Sequence, residues 1–75
     1  MSPKLPRVTA TEMLRALHRD GWYDHAQEGS HLALKHPVKT GRVTLPMHRR
    51  DLNTRTVSSI LKQAGLTADE LRRLL

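Results

Sequence analysis

Glu28-Gly29-Ser30-His31-Leu32-Ala33-Leu34-Lys35-His36-Pro37 is the stretch that decides the fold. Glu28-Gly29 makes a tight turn, and from His31 the side chains alternate. Leu32 and Leu34 point one way, while His31, Ala33 and Lys35 point the other. That alternation predicts a half-buried strand over 31–36, which Pro37 ends because it has no amide to pair. One face of the strand needs cover. The other is polar and opens on an imidazole, the side chain that exchanges protons most readily near neutrality.

The neighbouring segments supply the cover. Lys39-Thr40-Gly41 turns the chain into a strand over Arg42 to Leu45, with Val43 and Leu45 inward and Arg42 and Thr44 outward; Pro46 closes it. On the other side, Trp22 to Gln27 is expected to form the first strand, although its alternation is poor. Thr9-Ala10-Thr11-Glu12 is a capping box, followed at helical spacing by Met13, Leu14 and Leu17, and Asp20-Gly21 ends that helix. Asn53 or Thr54 caps a second helix whose apolar stripe is Val57, Ile60, Leu61 and Ala64, with Gly65 as its C-terminal cap. Thr67-Ala68-Asp69-Glu70 opens a short last helix carrying Leu71, Leu74 and Leu75. The expected architecture is α+β: helix, three antiparallel strands and helix, with a helical appendage and both main helices on one sheet face. The bare face then carries His31, Lys35, Arg42 and Thr44. Residues 1–8, with Pro3, Lys4, Pro6 and Arg7, read as an extended basic arm before a single domain over 9–75.

Composition narrows the function. A chain of 75 residues has room for one small core. Its 13 Lys and Arg against 7 Asp and Glu leave a net charge of +6, which favours a polyanionic partner, nucleic acid first. No cysteine is present, so thiolate metal sites and disulfides are excluded. The N-terminus lacks an apolar leader and no run is long enough to span a membrane, so a cytoplasmic protein is expected. One Trp, one Tyr and no Phe cannot build the stacking platform of single-strand binders. Binding should rest on charge and weaken steeply with salt.

Several of these landmarks together resemble the HicA family of bacterial toxins, the mRNA interferases. They are Gly21-Trp22, Gly29-Ser30-His31, His36-Pro37, Arg42-Val43-Thr44-Leu45-Pro46 and Ile60-Leu61-Lys62-Gln63-Ala64-Gly65-Leu66. The resemblance runs from about Thr11 to Leu75. It implies a double-stranded-RNA-binding-domain-like α-β-β-β-α fold, endoribonuclease activity on mRNA, and a silencing HicB-type antitoxin. The family's catalytic histidine, in its Gly-Ser-His motif, carries over to His31. The family often has a basic residue before that glycine, where this chain has Glu28.

RNA supplies its own nucleophile, the ribose 2′-hydroxyl. The protein must then provide a base, for which His31 is the candidate, and positive charge for the phosphate, for which Lys35 and Arg42 are candidates. Ser30 and the Gly29 backbone are further RNA contacts. Arg49 and Arg50 stand with Arg55 near the start of the second helix, where their charge adds to the helix dipole and invites an anion. No metal or other cofactor enters this scheme, and His31 and His36 of one strand point to opposite faces. His36 is expected to cap the strand end, and Trp22 to anchor the core. Two other readings use the same residues. A non-catalytic RNA-binding module would need the charge but not the imidazole, and a helix-turn-helix DNA reader over 56–75 would have to expose leucines that demand burial.

Overall fold

The computed structural model describes residues 5–75. Its elements run α1 (Ala10–Arg19), β1 (Tyr23–Glu28), β2 (His31–Lys35), β3 (Val43–Pro46), α2 (Thr54–Ala64) and α3 (Ala68–Leu74). Both capping boxes form. The Thr9 hydroxyl accepts the Glu12 amide at 3.2 Å while the Glu12 carboxylate accepts the Thr9 amide at 2.9 Å, and Thr67 and Glu70 repeat the arrangement at α3. Asn53 caps α2 by accepting the Thr56 amide at 2.9 Å, and Gly65, in the left-handed conformation, closes that helix.

The three strands form one antiparallel sheet in the order β1-β2-β3. Leu32 and Leu34 of β2 lie opposite Leu45 and Val43 of β3, and all four are buried. Against them pack Met13 and Leu17 from α1, Val57 and Ile60 from α2, and Leu71 from α3. Each such side chain contributes roughly 1.5–3 kcal/mol on burial, so this face drives folding. Helices cover the sheet on this side, in a double-stranded-RNA-binding-domain-like α+β arrangement.

Three boundaries differ from the sequence expectation. The first strand starts at Tyr23, because Trp22 is drawn into the core and its indole N–H donates to the Asp20 carboxylate at 3.2 Å. All six residues of β1 are exposed, which explains its poor alternation: neither of its faces is buried under a helix. A register shift between Asp24 and Ala26 leaves His25 as the extra residue of a bulge. The second strand stops at Lys35, and the third runs from Val43 to Pro46, with Arg42 just before it. The described part of the N-terminal arm is tied to the domain. Val8 is buried, and its carbonyl accepts the Leu52 amide at 2.8 Å. Residues 1–4 of that arm lie outside the described residues. Leu75, grouped with the apolar side of the last helix, is exposed.

His36 fixes the base of the β1–β2 hairpin. Its Nδ1 accepts the amides of Val38 and Lys39, each at 3.0 Å, so the ring proton sits on Nε2 and is donated to the Asp20 carbonyl at 2.7 Å. The ring also meets Trp22 edge to face, with centroids 5.2 Å apart. Gly21, at φ +103°, makes the close approach possible: a Cβ there would lie 2.7 Å from His36 Nε2. Lys39 completes the corner by donating to the Asp20 carboxylate at 2.6 Å and to the Ala64 carbonyl, at the end of α2, at 2.9 Å.

Candidate functional site

The sheet face away from the helices holds a shallow depression of about 220 Å³, lined by Ala26, Glu28, His31, Ala33, Arg42 and Thr44. The pleat makes this site. His31 and Ala33 alternate with the buried Leu32 and Leu34, and Thr44 alternates with Val43 and Leu45. Cross-strand register sets Ala33 between Ala26 and Thr44, so small side chains form the floor. His31 stands at one end, opposite Glu28 on β1 and Pro46 on β3. Arg42 brings a permanent positive charge to the same depression. The result is an exposed imidazole and a guanidinium over an open floor, an arrangement that can seat a phosphate and move a proton beside it.

The other candidate residues are spread around this centre. Gly29 and Ser30 form the two-residue turn between β1 and β2, with Gly29 at φ +58°, and the Ser30 carbonyl accepts the Met47 amide at 2.6 Å. That bond ties the turn to the end of β3 and so braces the neighbourhood of His31. Lys35 lies four residues along β2, about 13 Å away at strand rise, paired with Tyr23 and outside the depression. Arg49 and Arg50 are exposed on the loop between β3 and α2. A larger cleft of about 450 Å³ lies beside the start of α2, between Leu5–Arg7 and Asp51–Thr54. Among the described residues, no histidine lines it.

Of the other histidines, His36 is structural, as the strand-end position suggested, and His18 donates from Nε2 to the Asp24 carboxylate on the edge strand at 2.7 Å. His25 occupies the β1 bulge, and His48 is exposed just after β3. Sequence reasoning missed the part played by Asp20 and Lys39. The one available signal was the pairing of Gly21-Trp22 with His36-Pro37, two landmarks with no evident chemical task. Among the described residues, no three His, Asp or Glu side chains gather where they would hold a metal ion. No helix of the described residues is long and apolar enough to cross a membrane.

A helix-backed, three-stranded antiparallel sheet with histidine and arginine on its bare face defines a small basic α+β domain. The family model for the HicA toxin of bacterial toxin–antitoxin systems matches residues 10–66, and the chain belongs to that family. Membership makes it the toxin of such a pair, with an antitoxin as partner. No curated protein matches the chain.

Proposed function

We propose that the protein is an endoribonuclease that cleaves mRNA in the cytoplasm without a metal ion, and that a HicB-type antitoxin silences it by covering the His31 face. One observation carries this reading: the Gly-Ser-His histidine is exposed on the bare sheet face, in a depression it shares with Arg42. His31 acts as general base on the ribose 2′-hydroxyl, a role that typically contributes ~10²–10⁴-fold. The freed 2′-oxygen attacks the adjacent phosphorus, and the 5′-oxygen leaves. Arg42 stabilises the charge that gathers on the phosphate, where a preorganised cation acts most strongly. Lys35, farther along the same strand, meets a phosphate further along the RNA. Gly29 and Ser30 at the turn, with Arg49 and Arg50 on the loop, contact the flanking backbone.

The test compares the wild-type chain with His31→Ala on a long unstructured RNA in the presence of chelator, with the product ends mapped. Wild type should cut and leave 2′,3′-cyclic phosphate ends, while His31→Ala should bind the RNA but not cut it. Products ending in a 3′-hydroxyl would overturn the scheme. Equal binding with no cutting by either protein would instead make the chain an RNA-binding module of the same fold.

A further inference from the structure

Glu28 occupies a position where charge alone would favour a cation. A carboxylate on a face that must accept phosphate repels it, so RNA affinity does not account for this residue. Its placement does. Glu28 is the direct cross-strand partner of His31, and opposed residues of an antiparallel pair hold their Cβ atoms about 4.5–5.5 Å apart. Both side chains line the same depression. Among the described residues neither side chain makes a hydrogen bond or an ion pair, with the other or with a third residue, so neither is drawn away from the other and the bond between them is one that forms around the bound RNA. Arg42 lies in the same depression and offsets the negative charge that Glu28 brings toward the RNA.

We propose that Glu28 is the positioning residue for His31. Its carboxylate accepts a hydrogen bond from one imidazole N–H and so turns the other ring nitrogen toward the 2′-hydroxyl. This inference rests on the reading of His31 as the base. When His31 takes the hydroxyl proton it becomes an imidazolium, and the adjacent carboxylate stabilises that charge through a charge-assisted hydrogen bond without moving a proton itself. The 2′-oxygen then forms its bond to phosphorus while the bond to the 5′-oxygen breaks. The leaving oxygen takes a proton from water, and the resulting hydroxide is neutralised by the proton His31 later releases. Hydrogen bonds of this kind are often long before substrate binds and tighten around it.

Positioning and simple charge predict opposite signs for Glu28→Gln, which makes the inference testable on the full chain. Binding is measured on 2′-O-methyl RNA, which lacks the nucleophile, and kcat on the unmodified RNA at saturation, for wild type, Glu28→Gln and His31→Ala. Glu28→Gln should bind the RNA as tightly as wild type or tighter, because a repulsion has gone. Its kcat should nevertheless fall about tenfold, the loss of one charge-assisted hydrogen bond in the transition state. A Glu28→Gln protein that cuts as fast as wild type or faster, while His31→Ala stays silent, overturns the positioning role and leaves the nuclease reading intact. A loss confined to binding also overturns it. If wild type binds RNA and does not cut, the nuclease reading fails, and this inference fails with it.

Discussion

Replacing Gly21 by alanine should do far more damage than its place in an exposed turn suggests. Two costs arise at once. The residue sits at φ +103°, outside the range that L side chains ordinarily adopt, which costs roughly 1–3 kcal/mol. The new methyl would also stand 2.7 Å from His36 Nε2, so the ring must move. That nitrogen bonds the Asp20 carbonyl, Nδ1 holds the amides of Val38 and Lys39, and the ring rests against Trp22. Losing one net hydrogen bond costs about 0.5–1.5 kcal/mol, and the aromatic contact a similar amount. The sum is about 2–6 kcal/mol, or a melting point lowered by roughly 10 °C or more in so small a domain. Denaturant unfolding of Gly21→Ala, Gly29→Ala, His36→Ala and the Gly21→Ala/His36→Ala pair checks this. Gly29 also has a positive φ but has open space around it, so its replacement should cost only the backbone strain. With the ring removed, the Gly21 change should likewise shrink to strain alone. If Gly21→Ala costs no more than Gly29→Ala, or costs the same with and without His36, the reasoning is refuted.

Lys39→Ala should destabilise by about 1 kcal/mol, since it removes a partly exposed ion pair to Asp20 and the donor to the Ala64 carbonyl; an unchanged urea midpoint would refute this. Glu12 and Glu70 are held below the usual carboxylate range by hydrogen bonds from the Thr9 and Thr67 backbones and then their hydroxyls. Each is ionised at lower pH folded than unfolded, so its stabilisation is complete above the ordinary value near 4.5 and is lost as pH falls through the folded value. Unfolding midpoints from pH 6 to 3 should therefore fall more gently for Glu12→Gln/Glu70→Gln than for wild type, and parallel curves would contradict it. For RNA affinity against salt, Arg42→Gln should reduce the slope of log K on log salt by about 0.7, the share of one phosphate contact on a single strand. A slope identical to wild type would remove Arg42 from the RNA face.

Much of this protein could be read without its structure wherever one physical rule acts locally. The two Thr-x-x-Glu boxes mark helix starts because hydroxyl and carboxylate satisfy amides within one turn. Leu32-Ala33-Leu34 and Val43-Thr44-Leu45 mark strands because each alternates over a face that is buried on one side only. That same alternation put His31 and Arg42 together on the bare face, where they share one depression. Tertiary structure decided what local patterns cannot encode. Burial of Trp22 sets where β1 begins, and Val8 is held because a buried apolar residue and a Leu52 amide, far along the chain, meet it. His36, Gly21 and Lys39 are close only because the hairpin folds back on the ends of α1 and α2. Glu28 is the clearest case. The sequence presented it as a misplaced charge three residues before the histidine, and only strand register makes it the residue directly opposite.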